Sequence, residues 1–507
     1  MMNALRIFRF AVCTTAVVAG VAGAKASTES SAPPPNIIFM ISDDHRWDCL
    51  GIAGNDKVKT PHLDRMAREG QWHREFTIQI PSCSPARASL LTGLPAYRNG
   101  WYSNEFQRLD VIDPDGLSQY PLLPKEMQAA GYRTAMVGKW HITPDPWNCG
   151  FEAIHHWMLG GMGAFENAHL AHGRSRQTRE VPGFVQTIFA DDAITELNAR
   201  ADGSTTTPLF MWVAFTAPHA PFIPNPEPFS GQYDGQTPEE LAPDSFYDDP
   251  QKTKRGRQTW DNYYEAISAL DAEVGRVMET IRNSPDLSTN TLVVFMGDNG
   301  FMMGRRNVHE KYLPYDDALR VPMIVWGAEP FVGAPGTTVT ASLNSLDLTP
   351  TFVSLAGGKI PAEWPGRDAS AVLKSGKVEA GFDYAVSAYP DHDSLIDHVE
   401  AYRVIRTPSH KLILWHPETR KGPELYDLLA DPAEEKNLYD AAQVKDVQAS
   451  LTQRLEEFRK SSGDDSWDMK GPLGMFEPER LKWKYGERRA PRNQPAARRG
   501  AKALEQP

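Results

Sequence analysis

Asn36-Ile-Ile-Phe-Met-Ile41-Ser42-Asp43-Asp44 is the stretch that decides the fold. From Asn36 to Ile41 the run is apolar without alternation, which suits a central strand of a parallel sheet covered on both faces. It ends in two adjacent carboxylates. Asp43 and Asp44 repel each other, a cation between them relieves the repulsion, and oxygen donors of this kind suit a hard ion such as calcium or magnesium. Taken alone, the pair reads as a polar turn with an aspartate capping a helix. Three further apolar runs repeat the pattern. Arg133-Thr-Ala-Met-Val137 leads into Gly138-Lys139-Trp140-His141. Pro208-Leu-Phe-Met-Trp-Val-Ala-Phe-Thr216 leads into Ala217-Pro218-His219-Ala220-Pro221. Thr291-Leu-Val-Val-Phe-Met296 leads into Gly297-Asp298-Asn299-Gly300.

The residues at these strand ends carry chemistry. Lys139 and His141, two apart, face one side of an extended segment. A lysine is a point charge for an anion, and a histidine exchanges a proton near neutral pH. Prolines bracket His219 and fix its loop. Asp298 and Asn299 are again oxygen donors for a hard cation. Each group alone is an ordinary turn. In an open parallel α/β sheet, however, ligands bind at the carboxyl ends of the strands. Four such runs therefore predict one edge where all these groups meet.

A fifth stretch supplies a nucleophile position. In Pro81-Ser-Cys83-Ser-Pro85-Ala-Arg87-Ala-Ser-Leu-Leu-Thr-Gly93, Pro85 fits the first turn of a helix. Cys83 then sits at the helix N-terminus, where free N–H groups and the helix dipole favour an anion. Arg87, four positions on, lies on the same face. Taken alone, Cys83 also reads as a buried structural thiol.

The rest of the chain frames this edge. At 507 residues it is long enough for a large core and more than one domain. A formal charge of −12 excludes wide basic surfaces and a general nucleic-acid binder, so positive charge for an anionic ligand must be local. Four cysteines are too few for a disulfide scaffold, and spacing leaves open whether Cys49 and Cys149 pair. Arg6, Arg9, the apolar run from Ala11 to Ala24 and the Ala24-Lys-Ala26 site predict a signal peptide over 1–26. That run is short for a membrane span, so no stable span is expected. A disordered lead-in over 27–35 follows. Trp260 to Arg282 carries Tyr264, Ile267, Leu270, Val274, Val277 and Ile281 at helical spacing and faces the core. Val321-Pro-Met-Ile-Val-Trp326 and a helix from Leu346 complete the main layers. Near Lys374 to Asp393 the composition changes, which marks a boundary. Ala401–Arg406 and His410–Trp415 alternate as antiparallel strands, and Val444 to Arg459 reads as their packing helix. The expected fold is α/β: a large mixed, mostly parallel sheet sandwiched by helices, then a smaller C-terminal antiparallel sheet plus helix. The corresponding domains are 36–380 and 381–463, with an extended, partly disordered tail over 464–507.

Cys83-x-Pro85-x-Arg87 followed by Ala-Ser-Leu-Leu-Thr-Gly resembles the signature of the type I sulfatases, of the alkaline-phosphatase-like superfamily. Gly138-Lys139-Trp140-His141 resembles a second block of that family, and Thr60-Pro-His-Leu-Asp-Arg-Met66 a third. The resemblance runs in ordered blocks from Asn36 to Leu438. It implies that a maturation enzyme oxidises Cys83 to formylglycine (3-oxoalanine). The aldehyde hydrates to a gem-diol, of which one hydroxyl attacks sulfur and the other expels the covalent sulfate by elimination. It further implies one calcium ion (Ca2+) held by Asp43, Asp44, the hydrated residue 83, Asp298 and Asn299. Arg87, Lys139 and Lys311 would bind sulfate and steady the formylglycine. His141 would assist elimination, and His219 would protonate the leaving alcohol. The implied activity is sulfate ester hydrolysis on a polysaccharide or oligosaccharide, secreted or periplasmic. Trp101, Tyr102, Arg305 and Arg306 lie near the motif loops and are expected to meet a sugar. A phosphonate or phosphate ester hydrolase of the same superfamily is the nearest rival and would be favoured by a second metal site. An inactive carbohydrate-binding relative would leave residue 83 unmodified.

Overall fold

The computed structural model describes residues 33–104, 116–201, 207–255, 258–390, 400–417, 419, 421–464 and 467. The expected signal peptide, most of the lead-in and nearly all of the tail lie outside them. The described residues from Pro34 onward form one compact unit. Among the described residues no helix is long and apolar enough to cross a membrane.

Ten strands build the main sheet: β1 (Asn36–Ser42), β2 (Gln71–His73), β3 (Arg133–Lys139), β4 (Ala153–Met158), β5 (His169–His172), β6 (Arg179–Glu180), β7 (Leu209–Ala214), β8 (Thr291–Gly297), β9 (Met323–Gly327) and β10 (Thr337–Val339). Their order is β10-β2-β9-β8-β1-β7-β3-β4-β5-β6. The block β8-β1-β7-β3-β4 is parallel, and the remaining pairings are antiparallel except β10 with β2. The four apolar runs are thus the central parallel strands β1, β3, β7 and β8. Residues of β1 alternate between the two faces, as strand geometry requires. Ile37, Phe39 and Ile41 pack with helices Cys83–Thr92 and Ser345–Leu355. Ile38 and Met40 pack with helices Pro61–Glu69, Val185–Ala201 and Trp260–Asn283.

Register explains why the strands end level. The Asn36 amide accepts from the Leu209 N–H at 3.0 Å and donates to the Asn290 carbonyl at 3.1 Å. It ties the start of β1 to both neighbours. Ile41 then lies opposite Ala214, Ser42 opposite Gly297, and Gly138 opposite Ala214. The residues that follow emerge side by side.

Gly138 carries a strict demand. Its φ is +96°, β3 slips register against β4 there, and a Cβ would fall 2.0 Å from the Ala214 carbonyl oxygen. Neither the backbone conformation nor the space admits a side chain. Gly138→Ala is expected to destabilise the fold by roughly 3 kcal/mol or more. The shift of the urea midpoint measures it.

The second sheet runs β11 (Ala385–Tyr389), β12 (Tyr402–Arg406), β13 (His410–Trp415) and β14 (Glu424–Asp427), each antiparallel to the next. One face packs Ile405, Leu412 and Leu425 against Leu451 and Leu455 of helix Lys445–Ser462. The other face, with Tyr389, Tyr402 and Trp415, joins the main hydrophobic core. Ala388 N–H donates to the Gln79 carbonyl at 2.8 Å and seals the contact.

Candidate active site

Cys83 is the first residue of its helix, and the whole helix is buried. Ser82 before it is extended and makes no side-chain cap. Instead the Asn104 side-chain oxygen accepts from the Ser84 N–H at 3.0 Å and from the Ser82 hydroxyl at 3.1 Å. The cap arrives from a loop, and sequence spacing gave no sign of it.

The strand ends deliver the remaining groups. Asp44 has a left-handed φ of 60°, and its main chain is fixed from two sides. Its N–H donates to Asp298 Oδ1 at 3.3 Å, and its carbonyl accepts from the Tyr263 hydroxyl at 2.6 Å. The turn brings Asp43 and Asp44 to the same sulfur: Cys83 Sγ lies 3.3 Å from Asp43 Oδ1 and 3.8 Å from Asp44 Oδ1. Lys311 Nζ donates to Cys83 Sγ at 2.8 Å and also to Asp44. Lys139 Nζ donates to Asp43. Ligand atoms of Asp43, Asp44, Cys83 and His219 all lie within 4.8 Å of one another.

Arg87 reaches the site, but its guanidinium faces Asp298 rather than the sulfur. Nε and Nη2 donate to Asp298 Oδ2 at 3.0 and 2.7 Å, and Nη1 donates to the Lys139 carbonyl at 2.9 Å. Its Nη2 stands 3.8 Å from Asp43. Arg87 therefore locks together the ends of β3 and β8. Asn299 donates to Asp44 Oδ1 at 2.6 Å and to the Gly300 carbonyl at 2.7 Å. Its side-chain oxygen is buried without a protein partner. An orphaned amide oxygen beside three buried carboxylates is the donor set of a hard cation, so the residues fit such an ion.

His219 is the most open of these groups, with its side chain 15% exposed. Nδ1 pairs with the Ala220 carbonyl at 2.8 Å, which assigns the proton to Nδ1 in the neutral ring. Nε2 then faces the pocket, 3.6 Å from Asp44 Oδ2. His141 sits at φ 61°, with its ring packed where a Cβ on Gly161 would have to be.

The charges are tightly balanced, with three carboxylates (Asp43, Asp44, Asp298) facing Arg87, Lys139 and Lys311. Burial raises the Asp43 carboxyl, but Lys139, His219, Arg87 and Lys311 outweigh it and hold the group well below the usual range. Burial and Asp43 push Asp298 up to about 6, against Arg87 and Lys139. Burial and then Asp43 drive the Cys83 thiol well above its ordinary value, against Lys139 and Lys311. Burial, Lys139 and Arg87 hold His141 well below 6.5, and burial lowers His219 against the pull of Asp44.

Of the four residues expected to meet a sugar, Trp101, Tyr102 and Arg305 are buried and Arg306 is half-buried. Trp101 is 2% exposed and donates its indole N–H to the Ser84 hydroxyl, and Tyr102 is also buried. Arg305 is buried on Asp317 at 2.5 Å and on the Ala433 carbonyl. Arg306 lies over the Tyr315 ring and donates to the Glu434 carbonyl. Trp101 backs the helix that carries Cys83, and Arg305 and Arg306 tie their loop to the segment around Ala433 and Glu434. Cys49 and Cys149 are each buried and unpaired.

A mostly parallel sheet with an acidic, lysine-lined pocket beside a helix-borne cysteine defines an enzyme of the alkaline-phosphatase-like class. Residues 35–358 match the Sulfatase family model, and the chain belongs to the sulfatase family. Residues 304–461 match the model for the C-terminal part of N-sulphoglucosamine sulphohydrolase. An ulvan-active sulfatase of Formosa agariphila is 29% identical over 458 residues, covering 85% of this chain and 82% of that protein. An N-acetylglucosamine-6-O-sulfatase of Bacteroides thetaiotaomicron is 27% identical, covering 88% and 90%. A solved structure in complex with its substrate D-glucosamine-2-N,6-O-disulfate superposes with a TM-score of 0.70 at 25% identity, covering 86% of this chain and all of that one.

Proposed function

We propose that this sulfatase hydrolyses sulfate esters on a sulfated polysaccharide or oligosaccharide, with residue 83 as the formylglycine and one calcium ion in the acidic cluster. The observation that carries the reading is the position of Cys83 Sγ, on Lys311 Nζ and between the Asp43 and Asp44 carboxylates at the sheet's carboxyl edge. That sulfur stands in for a hydroxyl of the hydrated aldehyde. When present, the formylglycine supplies a hydroxyl nucleophile and an exit by elimination, and the calcium ion supplies Lewis-acid charge.

The chain's own residues do the rest. Asp43, Asp44, Asp298 and the Asn299 oxygen would hold the ion. Three carboxylates against three fixed cations leave the pocket near neutrality, so a divalent ion makes it cationic, as an anionic ester requires. Lys139 and Lys311 would hold sulfate oxygens, and Arg87 would keep Asp298 and the Lys139 segment in place. His141, kept neutral by its surroundings, would accept a proton as sulfate leaves. His219, the most open of these groups, would protonate the departing alcohol from Nε2 in its imidazolium form, which Asp44 and Asp43 favour against burial. The catalytic domain is assigned to 36–380 and the C-terminal subdomain to 381–463. The segment 1–26 is assigned as an export signal, which makes the mature protein secreted or periplasmic.

Release of inorganic sulfate from sulfated sugars by protein co-expressed with a formylglycine-generating enzyme tests the reading. No release from any sulfated sugar, with residue 83 converted, would overturn it. A finer outcome concerns His219. His219→Ala is expected to lower kcat about 10²- to 10⁴-fold on sugar sulfates. It should affect an activated aryl sulfate far less, because that leaving group needs no proton.

A further inference from the structure

Lys311 reaches the sulfur of residue 83 from a loop, not from a strand end. The residue after it, Tyr312, has a φ of 78°, which is uncommon for a bulky side chain and stays in place only when its surroundings hold it. Both main-chain groups of Tyr312 are held. Its N–H donates to the Pro81 carbonyl at 3.1 Å, two residues ahead of Cys83. Its carbonyl accepts from the Tyr402 hydroxyl at 2.7 Å, and Tyr402 lies on β12 of the second sheet. The same loop is fastened further on, where Lys411 donates to the Pro314 carbonyl at 3.3 Å and Glu434 accepts from the Asp316 N–H at 2.8 Å.

We propose that Tyr402 is a positioning residue for Lys311: its hydroxyl holds the Tyr312 peptide in the conformation that places Lys311 Nζ on residue 83. The inference rests on the reading of Lys311 as a group of the sulfatase site. It gives the second sheet a part in the chemistry, since β12 completes a clamp whose other jaw is the segment leading into Cys83. Tyr402 itself is fully buried, with its ring stacked on Tyr389 at 5.8 Å and edge-on to Trp415 at 5.5 Å. A phenyl ring fills the same space, so Tyr402→Phe removes the hydroxyl and keeps the packing.

The experiment is a double-mutant cycle on the matured enzyme, together with a crystal structure of the Tyr402→Phe variant. Tyr402→Phe is expected to lower kcat/KM roughly 10- to 100-fold, as a small misplacement of a catalytic group does. In a Lys311→Ala background the same change should cost less than about twofold, because coupled residues are not additive. The crystal structure should show Lys311 Nζ displaced from residue 83. Undiminished turnover, additive losses or an undisplaced Lys311 would each overturn the proposal. If the parent cleaves no sulfate ester while Lys311 still moves in the variant, the positioning stands and the functional reading falls.

Discussion

Cys83→Ala and Cys83→Ser are expected to lose at least about 10⁴-fold in kcat/KM on any sulfate ester, the scale seen when a covalent nucleophile is removed. The same loss is expected of wild-type chain that has escaped oxidation. A thiol attacks as the thiolate. Here burial and Asp43 keep the Cys83 thiol protonated at neutral pH, against the neighbouring lysines. An unmodified cysteine in this place is therefore a poor nucleophile, whereas the hydrated aldehyde would offer one hydroxyl to attack and a second to expel the sulfate by elimination, an exit that neither the thiol nor a serine has. Both variants should melt close to the parent, since the helix is held by its apolar face and by Asn104 at its start. Sulfate release and thermal melts on the same preparations check the two halves of the expectation.

Removing the proposed calcium ion is the second large effect. Chelation is expected to reduce turnover to background and calcium to restore it, and Asp44→Asn is expected to cost about 10³-fold in kcat/KM. Burial and Asp43 push Asp298 up to about 6, and the Asn299 oxygen has no protein partner. A divalent cation resolves both. Binding also stabilises the fold, by about 2.7 kcal/mol at a hundred times the dissociation constant. The melting temperature should therefore rise with calcium in the parent and much less in Asp44→Asn. An unchanged melt and unchanged turnover after exhaustive chelation would remove the cation from the account.

The edge that gathers the candidate residues was legible because β1, β7 and β8 are buried on both faces and are written as apolar runs, with β3 apolar only from Ala135 to Val137. Their polar ends then stand out. The flanking strands leave a weaker trace: β4 holds two histidines, β2 and β10 have three residues each, and β6 has two. These depend on neighbours for their pairing. The arginines misled for a related reason. A charge near a motif loop looks available in sequence, but Arg305 and Arg306 are bonded to carbonyls more than a hundred positions away. Tyr263 stood outside the core-facing positions read on its helix, and its hydroxyl fixes the carbonyl of Asp44. Arg87 stands where its spacing put it, yet which partner it faces was decided by β8.

Mass spectrometry of the peptide containing residue 83, run beside sulfate release on the same preparation, tests the central claim most directly. Protein made with the maturation enzyme should show the loss of sulfur and two hydrogens with the gain of one oxygen, and its turnover should scale with the converted fraction. Full turnover from protein in which every residue 83 is still a thiol would contradict it.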